Sequence, residues 1–225
     1  MEYIENISDF LIAEYNALQE RARKCEETKT SRINFYLIIV AASWASLASS
    51  AQLDFVQKNV LNIVILTEFI VLILGIATLY DLMNFSAAIV MFYRKAGRIR
   101  RWFVDLDKSI CKYVAFHPTD DRPNFSPNIN LSFSILSWRG AESILVIINS
   151  FSISIVFACL FSKISTTYTL ITIITSFIIF ILAWYLQLYF VSKQMKKQQK
   201  SEYQQNQINF PYEDLKNTDY NGFWG

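Results

Sequence analysis

The chain has 225 residues, 53% of them hydrophobic and 16% aromatic against 18% charged. A formal net charge of only +2 gives no bulk case for nucleic-acid affinity, and five glycines and four prolines leave little room for a turn-rich fold or a glycine-rich phosphate loop. The apolar residues are gathered into long runs, which excludes an ordinary soluble domain and points to membrane-spanning helices.

The acidic start, Met1 to Asn6, lacks the basic region of a signal peptide. Within residues 1–32, Ile4, Ile7, Leu11, Tyr15, Leu18, Ala22 and Cys25 recur at steps of three and four, one face of an amphipathic helix. A first apolar span runs from Ile33 to about Leu53. Small residues crowd it, and Ala41, Ala45 and Ser49 recur at every fourth position, a spacing that lets helices approach closely, within the chain or between subunits. The short connection Asp54 to Asn59 leads into a second span, Val60 to about Tyr80.

Glu68 sits inside that second span, with Asn62 a turn and a half before it. An ionisable side chain at that depth is costly unless it is paired, hydrated or protonated, so it is a candidate site. One reading makes it a pore-lining or proton-linked carboxyl together with Asn62 and Asn149. The other makes it packing glue, bonded to Asn149, Ser150 or Ser154 of the third span.

From Leu82 a second stripe follows, through Phe85, Ile89, Phe92, Ala96, Ile99, Phe103, Leu106 and Ile110, again in steps of three and four. The second helix is therefore expected to continue about 45 Å beyond its span, antiparallel to the N-terminal helix and packed stripe to stripe. Overlaid on it is the densest basic patch, Arg94, Lys95, Arg98, Arg100 and Arg101. It suits RNA, a nucleotide messenger or anionic lipid; the competing expectation pairs it with Glu14, Glu20, Glu26 and Glu27 of the antiparallel helix. Prolines and turn formers from His117 to Asn130 mark a loop, after which Leu131, Phe133 and Ile135 alternate with serine towards Trp138 and Arg139.

The third span runs from Glu142 to Ser162 and the fourth from Tyr168 to Phe190, joined by Lys163 to Thr167. Ser150, Ser154 and Ala158 repeat the small-residue spacing on the third. The tail, 191–225, opens with Lys193, Lys196, Lys197 and Lys200, suited to an anionic inner leaflet, and then turns polar and disordered in character. Nineteen of the 21 Lys and Arg residues lie in 1–32, 81–141 or 191–225, and only Lys58 and Lys163 fall in the short loops. By the positive-inside rule those three segments face the cytoplasm. The expected fold is that of an all-α protein of the cell (inner) membrane: transmembrane hairpins at 33–80 and 142–190, a long cytoplasmic antiparallel helix pair, and both termini in the cytoplasm.

Catalytic chemistry finds no motif. Cys25, Cys111, Cys159 and the lone His117 cannot make a zinc set, and His117 lacks the partners of a general base. No metal, cofactor or enzymatic activity is expected. Two stretches carry a resemblance: Phe10-Leu11-Ile12-Ala13-Glu14-Tyr15-Asn16-Ala17-Leu18 with Arg21, Glu26 and Ser31-Arg32-Ile33-Asn34-Phe35-Tyr36, and Arg98-Ile99-Arg100-Arg101-Trp102-Phe103. With the hairpin plan they resemble small bacterial four-transmembrane proteins of antiviral defence, including the four-transmembrane partners of Cas13b-type CRISPR loci. The resemblance implies a class and no mechanism. Together with the small-residue helix faces and Glu68 it leads to the expectation of a homo-oligomeric membrane effector or accessory that perturbs or permeabilises the bilayer, with a soluble defence protein or a nucleotide or RNA signal at its cytoplasmic face. The alternative is an anchored adaptor that docks a soluble partner through its helix pair and its tail, Phe210 to Trp224.

Overall fold

The computed structural model describes residues 2–50, 52–123, 125, 141–164, 169–205 and 208–211. These form four α-helices, α1 (Glu2–Ser50), α2 (Asp54–Leu106), α3 (Ala141–Ile164) and α4 (Thr169–Gln205), with a 3-10 turn over Lys108–Lys112. There is no strand among the described residues. All four α-helices are long and apolar enough to cross a membrane. The extended segment expected around Leu131 to Ile135 and the tail after Pro211 lie outside the described residues.

Three element boundaries differ from the sequence reading. The turn between α1 and α2 is tighter than the expected six-residue loop: Leu53 N–H donates to Ser50 O at 3.0 Å, Gln57 N–H to Leu53 O at 3.0 Å, and α2 starts at Asp54. An aspartate in a first turn complements the unpaired N–H groups and positive end of the helix dipole. Helix α2 ends at Leu106, which is 56% exposed, so the stripe stops at Phe103 and Ile110 belongs to the 3-10 turn. Asp107 terminates it, its side chain accepting from Ser109 N–H at 2.9 Å. Helix α4 continues to Gln205, where a mainly disordered tail was expected. Val191 and Met195 keep an apolar face buried beyond Phe190, and Lys, Gln and Met are good helix formers.

The chain divides into two compact units. One comprises Lys29–Met83 and Leu131–Lys193. Its interior is built from Ile33, Tyr36 and Val40 of α1, Val71, Leu79, Leu82 and Met83 of α2, Leu145 and Val146 of α3, and Val191 of α4. Helix α2 shows how this unit is turned out. Glu68, Val71, Gly75, Leu79 and Leu82, at steps of three and four, are buried, while Leu66, Phe69, Ile70, Ile73 and Ile76 of the same helix are exposed, Leu66 at 62%. Helix α4 likewise exposes Ile173, Phe177, Ile178 and Leu182. A surface this apolar is the surface a helix presents to lipid.

The other unit comprises Met1–Thr28, Asn84–Asn130 and Gln194–Gly225. Leu11, Tyr15 and Leu18 of α1 cluster with Phe92, Ala96, Ile99 and Phe103 of α2. Contacts pair Glu26 with Tyr93 and Tyr15 with Arg100, so the two helices are matched in opposite senses. Helix α4 joins through Gln198, whose amide donates to Asn84 at 3.3 Å.

Gly75 marks the tightest packing in the first unit. A Cβ there overlaps the Asn149 side-chain oxygen and comes within 2.6 Å of the Tyr36 hydroxyl. Gly75→Ala is expected to destabilise the folded protein by about 1–3 kcal/mol through overpacking. Ile76→Val, one residue on and exposed, is expected to cost less than about 1.5 kcal/mol. Thermal unfolding of both variants in detergent checks the difference.

Candidate functional site

Polar side chains inside the first unit stitch all four helices together. Glu68 is 2% exposed, and its Oε1 accepts from Trp44 Nε1–H of α1 at 2.8 Å. The Trp44 indole in turn packs at 5.7 Å against the Phe151 ring of α3. The second carboxyl oxygen, Oε2, has no hydrogen-bond partner among the described residues. Towards the next turns of α2, the Tyr36 hydroxyl donates to Asn149 Oδ1 at 3.1 Å in the space that Gly75 leaves open. Gln187 of α4 donates to Ser150 Oγ at 3.1 Å, and Ser150 donates to Val146 O at 2.6 Å. Ser154 donates to the Ser176 carbonyl at 2.8 Å, tying α3 to α4 beside an open groove of about 460 Å³ lined by Phe151, Ala158, Thr172 and Phe177 among others. At the start of α3, Glu142 pairs with Lys29 of α1 at 2.6 Å.

This arrangement redistributes the residues singled out in the sequence. Glu68 is bonded to Trp44, where Asn149, Ser150 or Ser154 had been expected. Asn149 is held by Tyr36, and its amide nitrogen is buried without a partner among the described residues. Asn62 is exposed and accepts from Lys163, so it belongs to the far end of the helix rather than to the Glu68 cluster. Ser150 and Ser154 are buried, and Ala158 lines the groove between α3 and α4. Ala41, Ala45 and Ser49 are exposed and take no part in the interior. Trp44 was the residue the sequence reading missed. The signal was present: an indole N–H in the middle of an apolar span requires an acceptor, and Glu68 is the only carboxylate within the four apolar spans after Glu142 is assigned to a helix end.

The basic patch is organised by the segment that follows it. Arg98 Nε–H pairs with Asp120 at 2.9 Å. Arg94 donates to Pro123 O at 2.9 Å and lies 4.5 Å from the centre of the Phe125 ring. Arg100 donates to the Tyr15 hydroxyl at 3.2 Å and stands over the Phe116 ring at 4.9 Å. Arg101 pairs with Asp105 on its own helix at 2.8 Å. On α1, Glu20 and Glu27 pair with Arg23, and Glu26 accepts from Tyr93. The arginines thus hold residues 116–123 and Phe125 against α2, where pairing with Glu14, Glu20, Glu26 and Glu27 of α1 had been expected. Gly97 permits the approach, since a Cβ there overlaps the Thr119 carbonyl oxygen and lies 3.3 Å from that of His117. Lys193, Lys196, Lys197 and Lys200 lie on α4.

Among the described residues no group of three His, Cys, Asp or Glu side chains could hold a metal ion. No protein-family model, curated protein or solved structure matches the chain.

His117 is held below its ordinary value of 6.5, chiefly by burial and then by the Arg122 and Arg100 cations, with Asp121 opposing. A histidine whose folded value is depressed is bound by fewer protons folded than unfolded, so stability is lost as pH falls through about 6.5 and levels off below the folded value. Thermal unfolding followed from about pH 7.5 to about pH 5.5 is expected to fall with pH, and His117→Gln to flatten that dependence. In the first unit, Trp44→Phe leaves the Glu68 carboxyl without its donor and is expected to destabilise by about 1–3 kcal/mol. Tyr36→Phe, which removes one neutral bond, is expected to cost about 0.6 kcal/mol.

Proposed function

We propose that the chain is a multi-pass protein of the bacterial inner membrane, with hairpins at 33–80 and 142–190, a cytoplasmic helix pair, and both termini in the cytoplasm. We propose further that it acts as an oligomeric effector or accessory of an antiviral defence system, perturbing or permeabilising the bilayer when triggered. The observation that carries this reading is Glu68: a carboxyl enclosed between apolar helices, one oxygen on Trp44 and the other with no partner among the described residues. In an apolar layer such a group is expensive, and a purely packing role is served at lower cost by an amide or hydroxyl.

In a single chain Glu68 faces the interior. A conducting or proton-linked path along it therefore requires α1 and α2 to part, breaking the Trp44 contact and admitting water to the free oxygen. One feature favours association of copies: the exposed small-residue face Ala41, Ala45 and Ser49, which permits close helix approach. The placement in defence rests on the resemblance of the two sequence stretches. The charge distribution supports the orientation, since crossing segments keep Lys and Arg on the cytoplasmic side.

Membrane potential and potassium efflux in bacteria expressing the triggered protein test the reading. Wild type is expected to depolarise the membrane, and Glu68→Gln, correctly inserted, to change the efflux several-fold. An intact potential with wild type, or identical efflux with Glu68→Gln, would count against Glu68 on a path and favour the adaptor reading.

A further inference from the structure

The second unit contains a polar clasp that the membrane reading does not use. Asp120 has its side chain 1% exposed, yet it receives three donors. Arg98 Nε–H and Asn209 N–H reach Oδ2 at 2.9 and 3.0 Å, and Phe210 N–H reaches Oδ1 at 3.1 Å. The Asp120 N–H donates in return to the Phe210 carbonyl at 3.2 Å. Three of these four bonds are made to main-chain groups of two consecutive residues, whose amides converge on one carboxylate because the segment bends at Phe210. Backbone capture of this kind is a standard mode of peptide recognition, with side-chain contacts adding selectivity.

Selectivity is present as well. The Arg101 guanidinium lies 5.9 Å from the centre of the Phe210 ring. Pro211 has no N–H, so the register ends after two amides. The receiving side is pre-formed: Pro118 and Thr119 are fully buried, and Gly97 lets their backbone lie directly on α2. The captured segment is held more lightly, with Asn209 exposed and Ile208, Phe210 and Pro211 half-buried. It is not helical and follows α4, which ends at Gln205.

We propose that Asp120, with Arg98 and Arg101, is a binding site for a short bent peptide segment, that residues 208–211 are its tethered resident ligand, and that the same segment of a second copy exchanges into it. A second copy is the partner because its segment carries, by identity, the two free amides, the aromatic ring and the terminating proline that the site accepts. The tether sets the competition: the resident segment is present at high effective concentration, so exchange occurs when it is released or when copies are crowded together. Residues 208–211 thereby couple chains through a carboxylate-to-backbone contact that each copy offers in the same form. This inference stands independently of any pore.

The test uses the full chain in detergent micelles. Asn209→Pro removes one of the segment's three backbone bonds to Asp120 at an exposed position and favours release of the segment, leaving the receiving residues unchanged. A fluorescent peptide of residues 206–213 is expected to bind Asn209→Pro about tenfold or more tighter than wild type, where the tether competes. Adding Asp120→Asn is expected to abolish that gain. Mixing tagged Asn209→Pro, which has an open site, with Asp120→Asn, which has only the segment, is expected to give a mixed complex that neither variant forms alone. No peptide binding to an Asn209→Pro chain of wild-type helicity, or binding indifferent to Asp120→Asn, would overturn the site. Peptide binding without the mixed complex would overturn the second copy as its partner. Hydrogen exchange on the wild-type chain gives a check free of folding defects: the Asn209 and Phe210 amides are expected to be protected, and to exchange faster when the peptide is in excess. Fast exchange without peptide would contradict the clasp.

Discussion

The indole of Trp44 and the carboxyl of Glu68 impose the condition that shapes the first unit: polar groups enclosed among apolar helices must find their partners on neighbouring helices. One N–H on α1 answers one oxygen on α2, and this fixes how far apart and in what rotation the two helices stand. The Tyr36–Asn149 bond fixes α1 against α3 in the same way, and it fits only because position 75 of α2 has no side chain. Ser150 with Gln187, and Ser154 with the Ser176 carbonyl, extend the arrangement to α4. Apolar side chains could fill this interior in many registers, since lipid offers them an equivalent environment; the directional bonds select one. Among the described residues that selection is incomplete where buried polar atoms lack a partner: Glu68 Oε2 and Asn149 Nδ2, and also Ser152 Oγ, Ser176 Oγ and Gln187 Oε1.

The second unit solves a different problem. An array of arginines on α2 has to be neutralised while Ala96, Ile99 and Phe103 pack against α1. The chain does this by laying residues 116–123 and Phe125 against the helix, where aromatic rings and backbone carbonyls take up the guanidinium groups. Guanidinium is weakly hydrated and stacks readily on aromatic faces, so this is a favourable environment for it and a poor one for lysine. Asp120 completes the arrangement by holding the backbone of residues 209 and 210 in the same unit.

Much of this was legible in the sequence wherever a local period carried it. The apolar runs locate four helices. The steps of three and four from Leu11 to Leu18 and from Phe92 to Phe103 name the residues that cluster, and the depth of Glu68 marks it as a buried carboxyl. What the sequence does not contain is the choice of partner between helices. Spacing along α2 cannot say whether Glu68 meets α1 or α3, because that depends on helix rotation, and here Gly75 and Trp44 decide it. The Asp120 clasp joins residues about ninety positions apart with no period at all, and its donors are backbone amides, which leave no mark on composition. Helix ends were misplaced for a simpler reason. The polar residues after Phe190 read as a tail, while Val191 and Met195 continued the buried face for another turn.

The account requires that α1 and α2 cross the membrane with their connecting turn outside and the Lys- and Arg-rich segments inside. The most direct measurement is labelling of intact cells with a membrane-impermeant thiol reagent, in a chain whose three native cysteines are replaced, carrying one cysteine at Leu53 or one at Ser201. The account predicts labelling at Leu53 in intact cells and labelling at Ser201 only after permeabilisation. Labelling at Ser201 alone in intact cells would reverse the orientation. Equal labelling of both positions, or of neither, would contradict a crossing between them and with it the place of Glu68 inside the bilayer.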